Sequence, residues 1–176
     1  MIGKLSLVAV ALTASMVAGN LSFESGLIKA HTEVFGDKTI DPMSKKATSH
    51  LSMESNPSTL KGTMDVSIAD LFSDNKKRDE HMQEALESPD FPKVSVDIKE
   101  VVAKGGDHYT LKGAMTLHGV TKPISFDGTI ADESGKVHIK ATSAIKMTDF
   151  GIKPIKMVFL TVRDQVDLNV DVVLKR

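Results

Sequence analysis

The sequence contains no cysteine and no tryptophan, and it contains tyrosine only once. Without cysteine, the chain can form no disulfide, thiolate metal site or thiol nucleophile. With one Tyr and no Trp, we expect no aromatic platform on which single-stranded nucleic acid could stack. The formal net charge is -1, from 22 basic and 23 acidic residues. Because nucleic-acid binding usually requires a clear basic excess, we predict no nucleic-acid partner.

Short catalytic and metal-binding motifs are also missing. The chain has no G-x-S-x-G, phosphate-loop, dinucleotide or H-E-x-x-H motif, and its carboxylates are scattered. The six histidines form no short-spaced pair and fall on polar strand faces, at turns or on a predicted helix: His31, His50, His81, His108, His118 and His138. We predict solvated histidines, with a metal site assembled across strands as the alternative. We predict neither catalysis nor a cofactor.

The first nineteen residues differ in composition from the rest. Lys4 precedes an apolar run over residues 5–17, and the small residues Ala18 and Gly19 follow. The run is short for a transmembrane helix and is typical of a secretory signal peptide. We predict a cleavable signal peptide over 1–19, a mature domain over 20–176 and a periplasmic location. A retained membrane anchor is the alternative.

The mature chain is dominated by stretches in which apolar and polar side chains alternate. Such alternation is typical of a strand with one buried and one wet face. The predicted strands are residues 27–35, 47–53, 60–68, 94–102, 109–117, 124–130, 137–147 and 159–174. Eight strands joined mostly by short turns predict an antiparallel sandwich or barrel.

The clearest of these patterns is the hairpin over residues 109–130. Leu111 and Met115 share the apolar face of its first strand, and Phe126 lies on that of the second. Gly119 supplies the backbone freedom of the turn. Pro123 cannot donate a hydrogen bond to a neighbouring strand, so we expect it at a strand start.

The inward faces of the predicted strands combine small residues with methionine. The small residues are Ala30, Gly62, Gly113, Gly128, Ala141 and Ser143, and the methionines are Met64, Met115 and Met147. Methionine adapts to irregular apolar shapes. This composition is compatible with an internal cavity and equally with close packing of these positions.

One segment follows a helical period. In residues 74–87 the apolar residues Met82, Ala85 and Leu86 are spaced by three and four positions. Asp74 can cap its start and Pro89 stops its end. Because this apolar stripe is narrow, we predict a surface helix or a lid. Its basic cluster, Lys76, Lys77 and Arg78, could contact an anionic head group or be a solvated face.

Four segments in order resemble motifs of the YceI family. They are LHGVTKPISF at 117–126, RDEHM at 78–82 with SPDFPK at 88–93, DFGI at 149–152, and VRDQVDL at 162–168. The resemblance implies an all-β fold, a lipocalin-like antiparallel eight-stranded β-barrel with one inserted α-helix. It also implies a non-enzymatic periplasmic or secreted protein, often a homodimer, that holds a long apolar lipid such as an isoprenoid in an internal tunnel.

On this interpretation, apolar inward side chains line the tunnel and the helix closes one end. The predicted tunnel residues are Ile28, Met64, Val66, Met82, Leu86, Leu111, Met115, Phe126, Ile139 and Val170. Lys76, Lys77 and Arg78 would contact a charged head group. Two alternatives stay open: a ligand-free structural or stress-response module of the cell envelope, and an enzyme such as a lipid hydrolase built on the barrel.

Overall fold

The computed structural model describes residues 19–34, 38–154, 156–157 and 160–176. Most of these residues lie in β-strands. The strands are β1 (Gly19–Val34), β2 (Lys38–Ile40), β3 (Met43–Ser44), β4 (Thr48–Met53), β5 (Lys61–Ser67), β6 (Lys93–Gly105), β7 (His108–Leu117), β8 (Val120–Glu133), β9 (Lys136–Lys146), β10 (Lys156–Met157), β11 (Leu160–Thr161) and β12 (Gln165–Lys175). One α-helix, α1 (Lys76–Ala85), and three short 3₁₀ helices, Pro57–Thr59, Ile68–Asp70 and Met147–Phe150, complete these elements.

Eight strands form a closed antiparallel barrel in the order β1, β4, β5, β6, β7, β8, β9, β12. The first and last strands close it, because β1 pairs with β12 from Ser22–Lys175 to His31–Asp167. The short strands β2 and β3 pair with the C-terminal half of β1. The predicted eight-stranded lipocalin-like barrel with one inserted helix is therefore confirmed.

The last predicted strand, residues 159–174, is divided. Residue 159 lies outside the described residues, and Leu160–Thr161 form β11, separate from β12. β12 begins at Gln165, and Val162 makes only an isolated bridge to Val34. The strand is interrupted at Asp164, whose carboxylate binds another segment of the chain. It accepts hydrogen bonds from the backbone N and the hydroxyl of Thr148, at 2.9 and 2.7 Å.

Pro123 does not stand at a strand start, as the sequence suggested, but inside β8 opposite Ala114. β8 pairs with β9 only from Asp127 onward. Residues 120–126 therefore have a ladder partner on one side only, and a missing backbone N–H is tolerated on the other side.

The helix is shorter than predicted, and its N-cap is Asn75 rather than Asp74. The Asn75 side-chain oxygen accepts a hydrogen bond from the Arg78 backbone N at 3.1 Å. Asp74 instead pairs with the Arg78 side chain, also at 3.1 Å. No residue of α1 is buried, which agrees with a surface helix or lid.

The predicted signal peptide falls almost entirely outside the described residues, which begin at Gly19. Gly19 already belongs to β1 and pairs with Met53 of β4. Among the described residues, no helix has the length and apolar character needed to cross a membrane.

One end of the barrel is tightly filled, and we call it the closed end. Its side chains are at most 1% exposed. They lie in β1, β4, β9 and β12 or, for Leu60, just before β5: Leu21, Met53, Leu60, Val137 and Leu174. Arg176 spans this end, where its guanidinium donates to the Met53 carbonyl at 3.0 Å and to Asp132 at 2.6 Å. The closed end therefore holds the most completely buried part of a core cluster that continues through the barrel.

Candidate functional site

The half of the barrel opposite the closed end is less completely filled, and we call it the open end. Its inward apolar side chains pack against the core but remain partly accessible: Ile28, Met64, Val94, Val96, Ile145, Leu168 and Val170. They lie on the same faces of their strands as the buried residues. In β12, for example, Leu168 and Val170 precede the buried Val172 and Leu174 at steps of two. Accessible apolar surface on the inward face of a closed barrel is surface that a ligand inside could cover.

Cross-strand neighbours explain where this interior has room. Leu168 stands between Ala30 of β1 and Ser143 of β9 in the strand register. Val170 stands between Ile28 and Ala141 in the same two strands. Small neighbours in these two layers, Ala30, Ser143 and Ala141, accompany the partial accessibility of Leu168 and Val170.

The inward glycines are explained by the close approach of neighbouring strands. A β-carbon at Gly128 would lie 1.9 Å from the Lys140 carbonyl oxygen, and one at Gly113 would lie 2.0 Å from that of Asp97. Both positions are glycine because two backbones approach too closely for any side chain. The packing of the barrel wall therefore requires glycine at both positions. These glycines do not serve only to leave space for a ligand.

The ten predicted tunnel residues are distributed over both parts of the interior. Five are buried, with 4–8% exposure: Val66, Leu111, Met115, Phe126 and Ile139. Ile28, Met64, Val170 and Leu86 are partly buried and pack against the core cluster. Met82 is half-buried, and it is not among the described side chains that pack against that cluster. Contact of these residues with a ligand stays a prediction.

The open end has a cap that the sequence did not reveal. Phe150 of the 3₁₀ helix Met147–Phe150 and the following Ile152 are 2% and 4% exposed and belong to the core cluster. They lie where β8 and β9 have separated, since that ladder ends at Asp127–Thr142. Neither period two nor period 3.6 describes such a turn, so side-chain alternation could not indicate it.

His118 joins this cap to the segment that follows α1. Its ring lies 4.6 Å from the Phe91 ring, centre to centre. Its Nδ1 is 3.3 Å from the Phe150 carbonyl oxygen. Its Nε2 is 3.2 Å from a carboxylate oxygen of Glu87, without the alignment of a hydrogen bond. The prediction that His118 is a solvated histidine is therefore wrong, because three segments meet at this ring.

The basic cluster of α1 is only partly available for a ligand. Lys76 and Lys77 are exposed, whereas Arg78 is half-buried and bonded to Asp74. Contact of these three residues with a ligand head group stays a prediction. The two lysines carry the exposed positive charge of the helix start.

His31, on the outer face of β1, is a second histidine that differs from the predicted solvated state. Its Nδ1 is 2.5 Å from Asp41, and Lys29 is 3.2 Å from the same carboxylate. The hydrogen bond to Asp41 raises the pKa of His31 above its ordinary value of 6.5, against the opposing effect of burial. Burial raises the pKa of Asp41, but hydrogen bonds from His31 and Lys29 outweigh it and lower that pKa below 3.8. These groups face outward and do not contribute to the interior.

A polar pocket of about 250 Å³ lies on the outer wall, beside Thr48 of β4 and Asp65 of β5. Asp65 is bonded to Lys93 at 2.7 Å. Its pKa is raised by burial and lowered more strongly by hydrogen bonds from Lys93 and Ser95, with a net decrease. The pocket is small and charged, which suits an apolar chain poorly. Across the described parts of the chain, no group of three or more His, Asp or Glu is arranged to hold a metal ion.

A family profile matches nearly the whole sequence, and individual relatives match about half of it. The profile of the YceI-like domain matches residues 16–174. A UPF0312 protein of Pseudomonas putida strain F1 is 32% identical over 108 residues, which cover 55% of each chain. One of Pseudomonas fluorescens strain SBW25 is also 32% identical over 108 residues, with the same coverage. The matched region thus spans about half the length of these relatives.

Solved structures share the fold at low sequence identity. BcnA of Burkholderia cenocepacia superposes with a TM-score of 0.74 at 16% identity, over 85% of this chain and 95% of that one. A polyisoprenoid binding domain from Saccharophagus degradans gives 0.69 at 9% identity, over 89% and 98%. At such identities these likenesses concern the architecture. Together with the profile match, the closed eight-stranded barrel establishes that the chain belongs to the YceI-like domain family.

Proposed function

We propose that this protein binds a long apolar lipid inside its barrel and carries it in the periplasm without transforming it. The observation that carries the proposal is the accessible apolar surface of the open end, on side chains that face the interior of a closed barrel. An isoprenoid is the favoured class, with a quinone-like lipid or a fatty acid or amide as chemically similar candidates. The Saccharophagus degradans neighbour, described as polyisoprenoid binding, supports this choice.

The energetics favour a long chain without many polar groups. Each buried methylene contributes about 0.8 kcal/mol, so affinity depends on the length of chain inside the barrel. The interior near Val170 and Leu168 offers apolar side chains and one small polar residue, Ser143. We propose that Lys76, Lys77 and Arg78 meet the head group at the open end. Periplasmic location and removal of residues 1–19 complete the proposal, and the homodimer stays a prediction.

The lipid content of the purified protein tests this function. Protein purified from its own host is extracted with organic solvent, and the extract is analysed by mass spectrometry. Leu168→Trp should abolish co-purified lipid, because the indole would occupy the space beside Ala30 and Ser143. Asn169→Trp is the matched control, since the neighbouring side chain lies on the outer face and is exposed.

The two variants also distinguish the alternative functions. If neither the natural protein nor Asn169→Trp carries lipid, the binding function is wrong and a ligand-free envelope module is favoured. Equal lipid in Leu168→Trp and the control, with both folded, would place the lipid outside the barrel. A chemically altered lipid that appears only with active protein would favour an enzyme.

A further inference from the structure

Phe72 is the one exposed large apolar residue among those whose side chains the structure describes, with 41% of its surface accessible. Its backbone is held in place, because Phe72 and Met43 exchange two hydrogen bonds of 2.9 and 2.8 Å. Met43 pairs in turn with Lys29, next to Ile28 of the open end. The ring therefore stands on an ordered segment beside the open end, and not on a loose loop.

Exposed lysines lie in both segments that this pairing joins. Lys45 follows Met43, and Lys76 and Lys77 begin α1. Within the described structure, none of the three lysines makes an ion pair. The nearby carboxylates are engaged by other groups: Asp70 by Lys46, Asp74 by Arg78, and Asp79 by Ser73. Ser73 is neutral, so Asp79 keeps its charge, as the exposed Glu80 does. In residues 43–46 and 70–80 the three unpaired lysines outnumber these two carboxylates, which leaves a net positive charge.

We propose that Phe72, Lys45, Lys76 and Lys77 form a docking patch for an anionic lipid bilayer. An aromatic ring that inserts at the interface, with lysines beside it on phosphate groups, is a suitable combination for such a surface. A stable protein interface buries about 800 Å² on each partner around an apolar core. One exposed ring with lysines around it lacks that core, so a membrane fits the patch better than a second protein does.

This inference deepens the proposed function, because docking would hold the open end against a source or acceptor of lipid. One apolar side chain and a few lysines give weak, reversible attachment, whereas stable anchoring needs stronger signals. Reversibility is what a carrier requires. Phe72 and Lys45 take no part in the proposed lipid site, so variants at these two positions should leave lipid binding in the interior intact.

The absence of tryptophan makes a direct test simple. Phe72→Trp introduces a single indole, and its emission is recorded with vesicles of phosphatidylcholine alone and with vesicles that also contain phosphatidylglycerol. We expect a shift to shorter wavelength, and quenching by brominated acyl chains, with the anionic vesicles only. Lys104→Trp is the matched control at the closed end, near the β6–β7 turn, and its emission should not change.

Charge variants test the lysines by vesicle sedimentation at low ionic strength. Each lysine near an anionic surface contributes about fivefold in partitioning, so Lys76→Gln with Lys77→Gln should weaken binding about 25-fold. Lys61→Gln with Lys104→Gln changes the net charge equally on exposed residues away from the patch, and it should have a much smaller effect. High salt should remove most of the difference.

Several results would overturn the docking patch. They are the absence of vesicle binding by the natural protein, equal emission shifts for Phe72→Trp and Lys104→Trp, and equal losses in the two lysine pairs. A dimer that Phe72→Ser dissociates, without any vesicle binding, would assign the patch to a second copy of this chain. The lipid content of the natural protein and of Phe72→Trp separates these results from a failure of the proposed function, because Phe72 is not part of the proposed lipid site.

Discussion

Gly128 shows at the scale of a single residue how closely the barrel wall is packed. Replacing it with alanine would place a β-carbon 1.9 Å from a backbone carbonyl oxygen of β9. Because a backbone cannot rotate away as a side chain can, we expect Gly128→Ala to reduce the free energy of unfolding by about 3 kcal/mol. Chemical denaturation measures this loss.

Gly135 provides the comparison. A β-carbon there would meet nothing within 4 Å, although its φ of +79° is unfavourable for alanine. Gly135→Ala should therefore cost only about 1–2 kcal/mol, from backbone strain alone. If both variants lose equal stability, close approach of the strands is not the reason for glycine at position 128.

The pair of His31 and Asp41 predicts a pH dependence of stability. His31 has a raised pKa, so its contribution is complete below 6.5 and is lost as the pH rises through the folded-state value. Asp41 has a lowered pKa, so its contribution is present above 3.8 and is lost as the pH falls through the folded-state value. Asp41→Asn should lower the melting temperature most between pH 3.8 and 6.5, and less well above 6.5. A difference that grows above pH 6.5 would contradict this sign.

Residue parity was predictable from the sequence, but residue environment was less so. Leu111 and Phe126 were expected inside and are buried. His118 was expected in solvent, because alternation says which face a side chain takes and not which distant segment folds over it. Its contacts with Phe91 and Phe150 join parts of the chain separated by 27 and 32 positions, which no local pattern encodes.

Among the elements, α1 is the least supported by packing. It has ten residues, none of them buried, so its stability depends largely on local interactions such as the Asn75 cap. Asn75→Ala should cost about 1 kcal/mol in helix stability. We expect faster hydrogen exchange in residues 76–85 with little change in barrel melting. A large drop in melting temperature would show instead that the helix and the barrel unfold as one unit.

The turn between β7 and β8 links the cap to the segment after α1 through His118. This residue has φ of +51°, a conformation that glycine adopts without strain. His118→Gly should therefore preserve the hairpin while removing the contacts with Phe91 and Phe150. If the cap controls access to the interior, bound lipid should exchange several-fold faster, as measured by transfer to acceptor vesicles. An unchanged exchange rate would mean that lipid passes elsewhere.

Element boundaries were predictable where the period is regular. The strand expected at 109–117 is observed as His108–Leu117. The helix was found by its spacing, but its ends were overestimated because Asn75 competes successfully with Asp74 for the cap. Short 3₁₀ helices such as Met147–Phe150 escaped prediction, because four residues are too few to establish any period.

Ligand binding should stabilise the whole molecule by mass action. If the barrel holds lipid only when folded, each tenfold increase in free ligand above the dissociation constant adds about 1.4 kcal/mol to the free energy of unfolding. Delipidated protein should therefore melt at a lower temperature than lipid-loaded protein. Leu168→Trp should melt at one temperature with or without lipid. A natural protein that shows no such difference would argue against an internal ligand.

The architecture as a whole was predictable because eight alternating segments leave few arrangements that bury every apolar face. The sequence left a sandwich and a barrel open, and the pairing of β1 with β12 decides between them. The state of the interior was not predictable, since filling depends on which residues face each other across the register. Leu168 beside Ala30 and Ser143 is such a case.

The ladder between β1 and β12 also determines when the protein can fold. Residues 22–31 pair with residues 167–175 along the seam that closes the barrel, so closure waits until nearly the whole chain has been synthesised. Contacts between such distant positions make folding slow, and the unpaired edge of β1 is open to association with other chains meanwhile. A barrel of this kind therefore closes after its synthesis and not during it.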